Sequence, residues 1–134
     1  MFKGLGFDLC EVARMEKKAG DDRFLGRFFT EGEAAYVRSR GARAAESLAG
    51  IFAAKEAFAK AMGTGIAFDL REVEVRHGEK GEPLYALTGK AAEMAGGDRF
   101  LLSISHDGGV AAAVCVLEQR DAAPGKENGN EGSA

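Results

Sequence analysis

The sequence predicts an α+β fold: a small, antiparallel-rich sheet with one long buried helix and several shorter ones. Three observations predict it. Leu5, Phe7 and Leu9 alternate with Gly4, Gly6, Asp8 and Cys10, the period of a strand. Glu46 to Met62 is Ala-rich, free of any β-branched run and closed by Gly63, as a helix should be. Asp107-Gly108-Gly109 separates two apolar, strand-like runs, which is a hairpin signal. The order is a strand, then helices, then strands with one more helix, which is not the strict alternation of a parallel sheet.

Phe2 to Val12 reads as the first strand, with Leu5, Phe7 and Leu9 on one face and Gly4, Gly6, Asp8 and Cys10 on the other. Arg14 to about Gly20 reads as a short helix. Asp21 and Asp22 are N-cap candidates for Arg23 to Phe29. Thr30-Glu31-Gly32-Glu33 matches a capping box and opens a helix through about Arg40. In Glu46 to Met62, Leu48, Ile51, Phe52, Phe58, Ala59 and Met62 form one broad face at about 100° per residue. The other positions are nearly all Ala or Gly, and from Leu48 onward the only charges are Lys55, Glu56 and Lys60. A helix apolar almost all round is buried, so those charges need a reason. Beyond it, Glu72 to Arg76 is a strand, Gly78 to Pro83 a turn and Leu84 to Leu87 a short strand. Thr88 to Ala95 is a helix ended by Gly96-Gly97. Phe100 to Ser105 alternates, and Val110 to Leu117, apolar throughout, is expected to be a central strand.

The chain has 134 residues, 46% of them hydrophobic and 29% charged, enough for one domain with a sizeable core. That domain is placed at 1–118. Gln119 to Ala134 lacks large apolar side chains and is expected to be a disordered tail. A formal charge of -3 argues against a nucleic-acid partner. The apolar stretches are too short and interrupted for a membrane span. The 2 cysteines cannot staple a disulfide scaffold, and Cys10 and Cys115 read as reduced core residues. Asp8 and Glu11 break the apolar run at the start, so no secretory signal is read there and a cytoplasmic location is the default.

Asp8 lies on the glycine-bearing face of its strand, where missing side chains leave room for a ligand. If Glu56 converges with it, the two carboxylates make a site for a hard cation such as Mg²⁺, completed by water and substrate phosphate. The alternative is separate ion pairs, with Lys60 at i+4 as the partner of Glu56. Lys60 could instead neutralise a phosphate or assist proton transfer. Lys55 either snorkels to solvent or reaches an anionic ligand. Gly63-Thr64-Gly65 is a helix cap or a close approach to a ligand. Ser105 and His106 point to opposite faces of a strand and cannot pair; His106 at the strand end could donate to a phosphate or purine. His77 reads as a surface residue. Arg14, Lys17, Lys18, Arg23 and Arg27, interleaved with Met15, Phe24, Phe28 and Phe29, form either a solvated helix face or a docking surface for an acidic partner.

Gly4-Leu5-Gly6-Phe7-Asp8-Leu9 resembles the opening G-x-G-x-D of holo-acyl-carrier-protein synthases, the small 4′-phosphopantetheinyl transferases. Phe52 to Ala61, followed by Gly63-Thr64-Gly65, resembles their F-A-x-K-E-A-x-x-K-A…G-T-G signature, and Ser103-Ile104-Ser105-His106 their late S-[IV]-[ST]-H strand. The resemblance spans Phe2 to about Glu118. It implies transfer of phosphopantetheine from coenzyme A to a serine of apo-acyl carrier protein, releasing adenosine 3′,5′-bisphosphate. It implies Asp8 and Glu56 as Mg²⁺ ligands and, with Lys60, as the catalytic set. Lys55, Gly63, Thr64, Gly65, Ser105 and His106 are implied around coenzyme A, and Arg14, Arg23, Phe24 and Arg27 as carrier-protein contacts. The family's homotrimer, with active sites between subunits, is implied too. Two departures stand out. Many members carry Arg where this chain has Ile51; either Arg40, Arg43 or another subunit's residue substitutes for it in holding the 3′-phosphate, or affinity for coenzyme A is lower. Asp21 and Asp22 dilute the basic stretch. The rival readings are a non-catalytic module binding coenzyme A and carrier protein, and an unrelated α+β enzyme.

Overall fold

A computed structural model describes residues 1–120. Its elements are β1 (Phe2–Glu11), α1 (Val12–Met15), α2 (Asp22–Phe28), α3 (Glu31–Ser39), α4 (Ala44–Met62), β2 (Val73–His77), β3 (Pro83–Leu87), α5 (Gly89–Ala95), β4 (Arg99–Asp107) and β5 (Val110–Glu118). Short 3-10 turns at Lys18–Gly20, Gly41–Arg43 and Leu70–Glu72 join several of them. One antiparallel sheet has the order β1-β5-β4, and β2 and β3 form a separate hairpin. The expected central strand is therefore β5. The β4–β5 hairpin closes on a two-residue loop, with Asp107 opposite Val110.

Local chemistry explains the helix starts. Asp21 caps α2 by accepting from the N–H groups of Arg23 (3.0 Å) and Phe24 (3.2 Å). At α3 the capping box forms in full: Glu33 N–H donates to Thr30 Oγ1 at 3.1 Å, and Thr30 N–H donates to Glu33 Oε1 at 2.9 Å. α4 ends at Gly63, whose φ of 74° lies in the left-handed region that favours glycine.

α4 is the axis of the molecule. One side lies across the sheet, where its small residues allow a close approach. A Cβ on Gly4 or Gly6 of β1 would run into the carbonyl oxygens of Ala61 and Ala57. The space the sequence offered to a ligand beside Asp8 is thus filled by the helix itself. The Ala and Gly positions of α4, set apart from its apolar face in the sequence, are its contact surface with the sheet. The other side packs Leu48, Ile51 and Phe58 into the core with Met15, Leu25, Val37 and Val73. The Phe58 ring lies tilted against Phe100 of β4 (4.6 Å) and meets Tyr85 edge-on (5.4 Å). Cys10 and Cys115 are buried and free, as read from the sequence.

Of the expected tail, Gln119 and Arg120 are held: Gln119 N–H donates to Met1 O at 2.9 Å and Arg120 N–H to Asp98 at 3.4 Å. The rest of that expectation, 121–134, lies outside the described residues. Among the described residues no helix is long and apolar enough to cross a membrane.

Candidate active site

Strand and helix geometry bring the two carboxylates together. β1 passes Ala61 at Gly4 and Ala57 at Gly6. Two strand residues advance about as far as four helix residues, so Asp8, on the same face, arrives at the turn of α4 that carries Glu56. Lys60, one turn on, donates to Asp8 Oδ1 at 3.0 Å and to Phe7 O at 3.1 Å. The lysine is thus bonded to Asp8, not to Glu56 at i−4. Burial pushes the Glu56 carboxyl above its ordinary range, and the negative charge of Asp8 pushes it further; Lys60 and Arg14 oppose the shift. Two like charges held together beside a lysine suit a divalent cation.

Among the described residues no group of three or more His, Cys, Asp or Glu is arranged to hold a metal. That donor set suits Mg²⁺, which commonly takes one or two carboxylates and completes its shell with substrate phosphate and water.

Lys55 departs from its expected role. Its side chain is 0% exposed, and its Nζ lies 2.8 Å from Glu33 Oε1 while donating to Leu70 O and Val73 O. It neither snorkels nor faces a ligand, because burial next to a buried carboxylate uses every proton it has. Burial pushes Lys55 down and Glu33 up, each against the attraction of the other. Glu33 was legible only as a capping residue; its pairing across 22 residues of chain left no local signal.

A second region lies toward the start of α4. Tyr36, Arg40, Arg43, Glu46, His77 and His106 line a cleft of about 220 Å³. His106 Nδ1 is 3.9 Å from Glu46 Oε1. His77 is not a free surface group: its ring stacks on Tyr36 at 4.1 Å, and the Arg40 guanidinium lies 5.6 Å from the centre of the Tyr36 ring. Burial and then Arg40 lower the His77 pKa, so the ring is neutral at pH 7. An aromatic stack beside two guanidiniums is a surface for a base and a phosphate. Ile51 is 1% exposed in the core and takes no part. Arg40 and Arg43 stand in this cleft without it.

Ser105 is separated from His106. It pairs with Ala112, opposite Leu9 across β5, on the outer sheet face. Within one chain it does not line the His106 cleft. Gly63 to Gly65 form the exposed end of α4, and Thr64 Oγ1 donates to Gly65 O at 3.0 Å. Arg14, Arg23 and Arg27 are exposed on α1 and α2, and among the described residues they form no salt bridge. Lys18 lies over the half-buried Phe24 ring at 4.8 Å and Arg27 over Phe28 at 5.2 Å. Asp21 is spent on the α2 cap, and Asp22 pairs with Arg38 at 2.7 Å. The two acids that diluted the basic stretch are thereby already engaged.

Comparison with known proteins places the chain in a family. Residues 4–115 match the 4′-phosphopantetheinyl transferase superfamily. A holo-(acyl-carrier-protein) synthase of Treponema denticola is 44% identical over 122 residues, 88% of this chain and 99% of that protein. One from Alkalilimnicola ehrlichii is 44% identical over 128 residues, 90% of this chain and 100% of the other. The crystal structure of the Bacillus anthracis holo-(acyl-carrier-protein) synthase in complex with CoA (3′,5′-ADP) superposes with a TM-score of 0.75 at 37% identity, covering 90% of this chain and 99% of that one. The Neisseria meningitidis enzyme gives 0.77 at 34% identity, covering 89% and 100%. The chain is a transferase and belongs to the holo-acyl-carrier-protein synthase family of 4′-phosphopantetheinyl transferases.

Proposed function

We propose that this chain transfers 4′-phosphopantetheine from coenzyme A to a serine hydroxyl of an apo-acyl carrier protein of fatty-acid or polyketide synthesis. The serine Oγ bonds to the β-phosphorus, the pyrophosphate P–O bond breaks, and adenosine 3′,5′-bisphosphate leaves. The serine proton passes to a carboxylate of the pair or to water. The observation that carries the reading is the meeting of Asp8 and Glu56, with Lys60 bonded to Asp8 beside them. Asp8 and Glu56 would hold Mg²⁺. When bound, that ion offsets the charge that builds on the phosphoryl oxygens. Lys60, already an ammonium donor at this point, orients toward the diphosphate and shares its negative charge. The His106 cleft, with Arg40 and Arg43, takes the nucleotide end. Gly63, Thr64 and Gly65 line the carboxylate end. The patch of exposed Arg14, Arg23 and Arg27 around half-buried Phe24 receives the acidic carrier protein, where opposite charge speeds encounter and fixes orientation.

Assembly belongs to the same proposal. Glu46 and Glu56 stand ten residues apart on α4, about 15 Å. In coenzyme A only a ribose separates the diphosphate from the 3′-phosphate, a shorter span. That separation supports a site shared between two copies, one supplying the carboxylates and the other the cleft. The outer sheet face supports this: Leu5, Phe7, Leu9 and Leu101 are 69%, 52%, 56% and 46% exposed. So much apolar surface on one face marks a protein contact. A homotrimer built on this face, in the cytoplasm, completes the reading, and it places Ser105 at the subunit boundary.

The test mixes purified protein, coenzyme A, Mg²⁺ and apo-carrier protein and follows the carrier by mass spectrometry. The carrier gains one phosphopantetheine. No gain across several carriers, with coenzyme A binding that ignores Mg²⁺ in calorimetry, would establish the non-catalytic module instead.

A further inference from the structure

The ammonium of Lys55 has three protons and three acceptors: Glu33 Oε1, Leu70 O and Val73 O, each at 2.8 Å. Glu33 accepts in turn from Thr30 N–H (2.9 Å) and Val75 N–H (2.7 Å). One buried point thus ties α3, α4, the 3-10 turn Leu70–Glu72 and β2. Buried ion pairs are weak stabilisers, because taking two charges out of water offsets most of their attraction. Apolar residues of similar volume often serve stability as well or better. Apolar residues cannot, however, hold two main-chain carbonyls and two main-chain N–H groups in register. Three of those groups, at Leu70, Val73 and Val75, open the β2–β3 hairpin. The hairpin's far end sets His77, Gly81 and Pro83 opposite Glu46 and His106 in the nucleotide cleft. The next residue on α4, Glu56, faces Asp8. The helix therefore anchors one wall of the nucleotide cleft through Lys55 and, on the next residue, presents Glu56 to the carboxylate pair.

We infer that Glu33 and Lys55 are a positioning pair, whose saturated contact fixes the β2–β3 hairpin against α4 and so holds one wall of the nucleotide cleft. The inference rests on the coenzyme A reading of that cleft. Its test is the double variant Glu33→Leu/Lys55→Met, which removes both charges at similar volume. The variant melts below the parent's temperature, because the main-chain groups at Thr30, Leu70, Val73 and Val75 lose their side-chain partners, its KM for coenzyme A rises about tenfold, and kcat falls less than about twofold. Amide exchange at Val73–His77 speeds up while exchange in β5 stays at the parent's rate. A folded double variant with the parent's KM and exchange overturns the proposal. If the double variant does not fold, Glu33→Asp replaces it: the shortened carboxylate keeps the charge but strains its reach, and KM rises about threefold or more. A folded Glu33→Asp enzyme with unchanged KM overturns the proposal equally. The parent enzyme run alongside separates the two levels. A parent that transfers nothing and binds no coenzyme A sinks the functional reading, whereas an active parent with indifferent variants sinks the positioning pair alone.

Discussion

At Asp8 and Glu56, function and stability pull in opposite directions. Glu56 is held partly out of water beside another carboxylate, which disfavours its charge. Neutral Glu56→Gln relieves that cost, so the variant melts at or above the parent's temperature while transfer falls about a thousandfold or more. Asp8→Asn loses transfer to the same degree but also gives up the ion pair with Lys60. Transfer assays beside thermal melts check both, and activity surviving either change would break the carboxylate-pair assignment. In the proposed site, Arg43 and Arg40 act at the other end of the substrate. Alanine at either raises KM for coenzyme A about tenfold, in line with a lost charge-assisted hydrogen bond. The same changes leave dephospho-coenzyme A, which lacks the 3′-phosphate, almost unaffected. Equal losses on both substrates would remove the two arginines from phosphate binding.

Elements were legible where local rules decide them. The capping box, the Asp21 cap, the Gly63 stop and the Asp107 hairpin each depend on neighbours within four residues, and each formed as read. What a strand face packs against is not local. Gly4 and Gly6 carry the same letters whether a ligand or a helix lies over them, and here it is the helix. Gly6→Ala therefore tests packing, not ligand access. The added methyl meets a main-chain carbonyl of α4, which has no rotamer to turn away, so stability falls by about 1–3 kcal/mol or more in urea titrations. A loss of activity at undiminished stability would instead return that space to the ligand. Thr30→Ala removes the cap of α3 and the 2.6 Å bond from Thr30 Oγ1 to Glu74, and costs about 0.5–2 kcal/mol in the same titration.

For the whole molecule, composition and alternation revealed a core and an apolar strand face, but not which surface covers which. Lys55 shows the limit: no periodicity indicates that its counter-charge is the third residue of another helix. The thiol of Cys115 shows the core at work. Burial pushes it up to about 11 from an ordinary 9.0. Between those values the unfolded chain gives up the proton and the folded chain keeps it, so stability falls as pH rises, by at most about 1.4 kcal/mol per pH unit. Half-buried Tyr85 and buried Cys10 add the same sign. The melting temperature declines from about pH 9 upward, and Cys115→Ala declines less steeply.

The outer face of the sheet decides the final question, whether one chain holds a complete site. If the proposed trimer forms on that face, the parent runs at trimer mass in light scattering, and Leu5→Glu, which puts a charge in the middle of the face, runs as smaller species. A mixing experiment asks more. Asp8→Asn and Arg43→Ala chains are each impaired at low coenzyme A, for reasons at opposite ends of α4. If each site joined Asp8 and Arg43 of one chain, mixed and reassembled chains would show only the average of the two activities. If the site is shared, some boundaries in the mixed trimer pair the intact Arg43 of one chain with the intact Asp8 of the next. Activity then rises above either variant alone, and it rises only after subunits exchange. A strictly averaged rate, from chains shown to have exchanged, would confine the site to a single copy and leave the exposed leucines without that function.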